Sequence, residues 1–504
     1  MAKDIEKRSS IRDLPGTINP PTGKVSRRGA LKAAGGALGG AMLAGCAQAG
    51  TRGIASILDP EQSGKKDGLA EALDYPLIKS IFNRRSRRIS KGIQSVPAGS
   101  CSYQSDQKAQ ALSAVEEALL ISVLGMTGLV MPDRPFQDEK GNGILGTPNL
   151  NMTGRAAGSA DNAQNTHFFM INDSGTYYLR PLDPPDQDFK LTPENLILRA
   201  DQSKKKISDK RLDFPRSFPY YLDSNRFLSN LPGSTLFLPV VDFTEQYING
   251  LMYLLTQPDG FRPVFLDDKN GYVPAGVEDW IKNKYLNPKI SLPLGVVGTF
   301  RAQIEADLLL QNLMLTLQAM GLGGWIHATF EGPFLMGHPK YSVAGSGLGF
   351  KYVVPELSAE QLKKLGVPDP KFLANPVGLD GVIEGFCPPY YPTMSDAVDA
   401  VLEKKYGKGG AYSDVPRFNR IFKGGKGEAY TKEVPHYDPR TVQCVKAVCE
   451  YLHKTYGRFP MHLDAIYVPG VWLQAHHLDL KYYDQLFQNG YTRMHQQHEE
   501  LWHS

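Results

Sequence analysis

The run Arg84-Arg85-Ser86-Arg87-Arg88 puts two arginines and a serine at alternate positions. In an extended segment residues 84, 86 and 88 share one side. Two guanidinium groups and a hydroxyl converging there suit a phosphate dianion, because planar guanidinium donors match phosphate oxygens. A second group of polar residues is Ser159-Ala160-Asp161-Asn162-Ala163-Gln164, just ahead of Asn165-Thr166-His167-Phe168-Phe169. Side-chain amides offer a donor and an acceptor together. Ser159, Asn162 and Gln164 therefore suit the edge of a flat ring that alternates carbonyls with N–H groups. The third segment runs from Gly321-Leu322-Gly323-Gly324-Trp325 to Phe330-Glu331-Gly332, and its glycines permit close backbone approach to such a ring. Taken singly, each has an ordinary reading as a solvated basic face, a polar loop or core packing.

Together the three fit one ligand, flavin mononucleotide (FMN), and resemble the nitroreductase-type flavoproteins. That family carries an R-x-S-x-R segment, a P-S-x-x-N-x-Q-P-W-x-F segment, and a long central helix ending in G-L-G before an E-G turn. All three occur here in that order, across residues 74–350. The resemblance implies that Arg84, Ser86 and Arg88 hold the phosphate and ribityl chain. It implies that Ser159, Asn162 and Gln164 line the ring, partly from the opposite subunit of a homodimer. The backbone N–H groups of Glu331 and Gly332 would sit near flavin N5. Gly158 stands where the family has Pro, and Asn165-Thr166 where it has Pro-Trp, so the pocket differs in shape. The family's basic pair near the C-terminus has no clear match; Lys340, Lys351, Lys423 and Lys426 are candidates.

These segments need elements to position them. Structure is expected from Asp74-Tyr75-Pro76, as a helix to about Asn83, and Ala109–Leu124 reads as a helix. Thr166–Ile171 and Thr176–Leu179 read as strands of a hairpin around Asn172-Asp173-Ser174-Gly175, and Thr235–Val241 as a further strand. Ile304–Met320 is the strongest helix. It is apolar nearly all round, which predicts burial between layers or at a subunit interface, and Gly321 suits a left-handed cap. Asp438–Tyr456 reads as a helix with Asp438 as its cap. The expected fold is α+β: a nitroreductase-like mixed, mainly antiparallel sheet flanked by helices. The flavin domain would span 73–354, with insertions at 181–233 and 256–300. Residues 355–504 would form a C-terminal extension packed on it.

The beginning of the chain reads as an address. Of 56 Lys and Arg in the 504 residues, eight lie among the first 45 (Lys3, Lys7, Arg8, Arg12, Lys24, Arg27, Arg28 and Lys32) against Asp4, Glu6 and Asp13. The formal charge of +4 therefore resides in this leader, and the near-neutral remainder argues against nucleic acid as a partner. Ser26-Arg27-Arg28-Gly29-Ala30-Leu31-Lys32 resembles a twin-arginine export motif, so residues 1–49 are expected to engage the twin-arginine translocase. Leu43-Ala44-Gly45-Cys46 resembles a lipobox, which would anchor the protein by lipid on Cys46. Ala47-Gln48-Ala49 offers soluble release instead. Residues 50–72 read as a tether. The expected location is periplasmic or cell-envelope.

No G-x-G-x-x-G follows an expected strand, and no P-loop or G-x-S-x-G is present. His495 and His498, at i and i+3 on a helix, could share a metal, with His476, His477, Asp479 and His503 nearby in sequence. No HExxH or paired CxxC supports one, so packing histidines are the default and no metal is expected. Cys444 and Cys449 sit badly for a disulfide within a helix. The function expected is an exported FMN-dependent oxidoreductase moving two electrons to or from a nitroaromatic, quinone or halogenated aromatic. Its electron donor is NAD(P)H, a quinol or a protein. The alternatives are a flavin oxidase or dehydrogenase of an exported metabolite, a ligand-binding lipoprotein without activity, and a metal protein using the late histidines.

Overall fold

A computed structural model describes residues 67–504, apart from 140–142, 144, 187, 298 and 343–346. The twin-arginine motif and Cys46 lie outside the described residues. Two strands, β1 (Met126–Leu129) and β2 (Thr153–Arg155), pair antiparallel as a ribbon. The main sheet starts with β3 (Thr166–Asn172) and β4 (Gly175–Leu179), the expected hairpin, in which Asn172 opposes Gly175. Next come β5 (Lys204–Ser208) and the fully buried β6 (Thr235–Asp242). A small separate sheet holds β7 (Pro263–Asp267), β8 (Val273–Pro274) and β9 (Asn287–Pro293), with β7 and β9 parallel. Then follow β10 (Gly323–His327), and a third small sheet of β11 (Lys351–Val353), β12 (Asn375–Leu379) and β13 (Ile383–Glu384). The short β14 (Ile466–Tyr467) and β15 (Trp472–His476) return to the main sheet. Its order is β10-β15-β6-β3-β4-β5, with β14 also on β6, and every pairing is antiparallel. The protein is mixed α+β, with antiparallel sheets flanked by helices.

Three expectations need correction. Residues 355–504 are not an extension laid on a finished domain: β15 lies between β10 and β6, inside the main sheet. Residues 181–233 are not a mere insertion, because β5 completes the sheet beyond β4. The expected tether contains helical structure, since Gly68–Asp74 is a helix capped by Asp67.

Alternation along the strands sends side chains to two cores. Phe168, Met170, Phe237, Leu473 and Ala475 meet the helix Thr299–Met320 through Leu309, Leu310, Leu313, Met314, Leu317 and Met320. The opposite face, with Phe169, Ile171, Leu236, Leu238, Val240 and Trp472, packs against the helices Thr244–Leu254 and Pro439–Tyr456. The long helix is less enclosed than expected: Asp307, Leu308 and Gln311 are exposed. At its end Gly321 adopts φ +79°, as the sequence predicts, and a Cβ there would lie 2.3 Å from the carbonyl oxygen of Met494. Leu322 N–H donates back to Leu317 O at 3.0 Å, closing the helix. Among the described residues no helix is long and apolar enough to cross a membrane.

Candidate functional site

The arginine segment leaves the helix Leu77–Asn83 in extended form and alternates from Ser86 to Ile89, whereas Arg85 is exposed beside a half-buried Arg84. Arg87 and Ile89 turn inward, while Ser86 and Arg88 are exposed and Arg84 is half-buried. Arg87 fixes the segment. Its backbone N–H donates to Gly324 O at 3.1 Å, bridging it to β10. Its guanidinium donates to Gly490 O at 2.8 Å and to Oε1 of Gln318 at 3.2 Å. Burial lowers its pKa. No hydrogen bond or ion pair engages the side chains of Arg84, Ser86 or Arg88 among the described residues. The Arg88 guanidinium lies over the Trp325 ring, 5.3 Å from its centre. Trp325 in turn stacks on His327 at 3.9 Å. Both are buried, and neither Nε1 of Trp325 nor Nε2 of His327 has a hydrogen-bond partner. Burial, then the charge of Arg88, pushes His327 down to about 3, so its ring is neutral at pH 7.

The loop 159–164 brings Ser159, Asn162 and Gln164 together, largely by bonding them to each other and to β2. Gln164 N–H donates to Ser159 Oγ at 2.9 Å, and its Nε2 donates to Asn162 Oδ1 at 3.3 Å and to Thr153 O. Asn162 Nδ2 donates to the carbonyls of Asn151 and Thr153. Asp161, Asn162 and Gln164 all have positive φ, at 54°, 46° and 51°. Left-handed backbone at three non-glycine residues costs of order 1 kcal/mol each and persists only where surroundings enforce it. Just beyond the loop lies the buried pair Arg155–Glu305, in which Arg155 also donates to Thr166 O at 2.7 Å and Leu124 O at 3.1 Å.

Glu331 is exposed and precedes the short helix Gly332–Met336; a Cβ at Gly332 would contact Val468 at 3.4 Å. The predicted residues are thus brought together in part. The long helix is met near Leu315 and Gln318 by Ser80 and Arg87, and near Leu308 and Asn312 by Gly158 and Ala156, just ahead of the amide loop. Those contacts are about 10 Å apart along the axis at 1.5 Å per residue. Sequence reasoning missed Arg87, Trp325 and His327. The alternation that exposes Ser86 and Arg88 also buries Arg87, so that signal was available.

His495 and His498 do not converge as a pair. Nδ1 of His495 meets Thr492 Oγ1 at 2.9 Å, whereas Nδ1 of His498 meets Met320 O at 2.8 Å. Asp479 is no partner for either: it accepts from Tyr103 (3.0 Å), Ser105 (2.5 Å) and Gln107 (3.2 Å). Cys444 and Cys449 are buried free thiols.

No family model matches the chain, and no curated protein matches it. One solved structure that does match is a "putative nitroreductase" from Ralstonia eutropha JMP134. It is 13% identical, with alignment over 55% of this chain and 77% of that one, and a TM-score of 0.22. A TM-score of that size establishes neither a shared fold nor a shared function.

Proposed function

We propose that this chain is an FMN-dependent oxidoreductase that works as a homodimer and exchanges two electrons with a small planar substrate such as a nitroaromatic, quinone or halogenated aromatic. One observation carries the reading: Ser86 and Arg88 are exposed and Arg84 half-buried on a segment locked by Arg87, and among the described residues no acceptor or acid engages their side chains. That donor set suits the phosphate end of FMN. At the ring end the amides of Asn162 and Gln164 are already bonded to β2, so ring binding would exchange those contacts for new ones. When bound, FMN would supply the two-electron chemistry, and the protein's part is placement and electrostatics. Arg84 and Arg88 would neutralise the phosphate. The neutral His327 adds no competing charge beneath Arg88.

The dimer rests on a separate feature. The helix Leu77–Asn83 buries Ser80 and presents Leu77, Ile78, Ile81 and Phe82 outward, with Phe82 72% exposed. An apolar face turned away from its own core is the mark of an interface. It adjoins the arginine segment directly, so a second copy seated there would lie beside the phosphate site. Export by the twin-arginine translocase and lipid on Cys46 belong to the same proposal, as does a donor that is NAD(P)H, a quinol or a protein.

The test is the purified protein's visible spectrum, with mass analysis of whatever heat releases. A yellow protein yielding FMN, and loss of colour in the Arg84→Ala/Arg88→Ala variant, are the expected results. A colourless protein that takes up no added FMN overturns the reading.

A further inference from the structure

Four residues far apart in sequence meet beneath the helix Arg493–His503. They are Glu116 from the helix Ala114–Ser122, His477 directly after β15, and His498 and His503. One ligand atom from each lies within 4.8 Å of all the others. Nε2 of His498 is 2.8 Å from Oε1 of Glu116, Nε2 of His503 is 3.4 Å from the same oxygen, and Nε2 of His477 is 3.6 Å from Oε2. Glu116 is wholly buried, and His477 and His498 nearly so.

The outer bonds aim the rings. His498 donates from Nδ1 to Met320 O at 2.8 Å, which turns Nε2 toward the carboxylate. His477 donates from Nε2 to Ala111 O at 3.2 Å, so its unpartnered Nδ1 is the nitrogen left for an ion, and Glu116 Oε2 accepts from Ser113 N at 2.6 Å. Inside this shell Nε2 of His498 and Oε1 of Glu116 make no hydrogen bond despite their closeness, and Nδ1 of His477 has no partner either. Nε2 of His498 and Oε1 of Glu116, 2.8 Å apart in a dry interior, need a shared positive charge, either a proton on the imidazole or a metal ion bound by both. Three imidazoles and one carboxylate are a ligand set for a first-row divalent transition ion, at distances of about 2.0–2.2 Å that modest closure would reach. Beside the cluster a cavity of about 260 Å³, lined by Lys91, His477, His498 and Glu499 among others, gives an ion a way in.

We infer that Glu116, His477, His498 and His503 bind a divalent transition ion, zinc foremost, which clamps the helix Arg493–His503 to the end of β15 and to the helix Ala114–Ser122. The inference is independent of the flavin reading.

The test uses the full chain, stripped with a chelator and dialysed against micromolar Zn²⁺, Mn²⁺ or Fe²⁺ in separate samples, followed by metal analysis. The expected result is about one equivalent of one ion per chain and a raised melting temperature. His498→Gln and His503→Gln should each weaken binding by at least about tenfold. His495→Gln, beside the cluster but bonded to Thr492, should bind like the wild type. Because His503 is the most exposed ligand, its variant should fold even if the others do not. Failure of the wild type to take up any of the three ions, or equal uptake by the His503→Gln variant, overturns the proposal and leaves an imidazolium–carboxylate pair.

Discussion

Arg87 reaches Oε1 of Gln318 at 3.2 Å from the buried side of the same segment whose even-numbered neighbours face outward. On the flavin reading, anchoring and ligand-binding are divided between adjacent arginines. Arg87→Met should destabilise the fold by roughly 2–4 kcal/mol, since Gly490 O and Gln318 lose a charged donor inside the protein. Arg84→Ala with Arg88→Ala should cost less than about 1 kcal/mol and abolish flavin retention. Denaturant midpoints and bound flavin, measured on both variants, check the division.

Glu305 accepts from Arg155 and from Thr166 N, with nothing reaching solvent. Glu305→Leu alone should cost about 3–5 kcal/mol by stranding a buried guanidinium, and Arg155→Met/Glu305→Leu should recover much of that loss. A double-mutant cycle in urea measures it. Equal destabilisation by the single and double variants would contradict the pairing.

Lys405 is wholly buried, with Nζ bonded to Thr147 O at 2.6 Å, Asn249 Oδ1 at 2.9 Å and Tyr437 OH at 3.2 Å. Burial pushes it from 10.5 down to about 7. Between those values the unfolded chain holds a proton that the folded chain has released. Stability therefore rises with pH across that window, by up to about 1.4 kcal/mol per unit. Below the folded value the penalty is fully present. Lys405→Met should flatten this rise relative to wild type, as read from urea midpoints at about pH 7.5 and about pH 9.5.

Ile78→Glu with Phe82→Glu should shift the protein from dimer to monomer in sedimentation, with a melting temperature close to wild type, because both side chains are exposed. A wild-type chain that sediments as a monomer at micromolar concentration would refute the interface.

Much of the central sheet was legible. β3, β4 and β6 are apolar runs broken by a strong turn, and the caps at Gly321 and Asp438 follow from residue type alone. β15 was hidden because Gln474 and His476 are polar yet fully buried. Gln474 is satisfied only by Asn230 N at 2.7 Å and Leu228 O at 3.0 Å, more than two hundred residues away. The outward Ser86 and Arg88 either side of the buried Arg87 could be read from a period of two. The internal bonding of Asn162 and Gln164 could not, since it depends on the strand that passes beside them. The histidine cluster escaped for a related reason: only His498 and His503 share an element, and their five-residue spacing matches no familiar ligand pattern.

The position of β15 also sets the timetable of biosynthesis. Until residues 472–476 leave the ribosome, β6 and β10 have no strand between them and stand as open templates for wrong pairing. The segment that joins them is synthesised more than two hundred residues after β6, so the sheet is completed only late in synthesis.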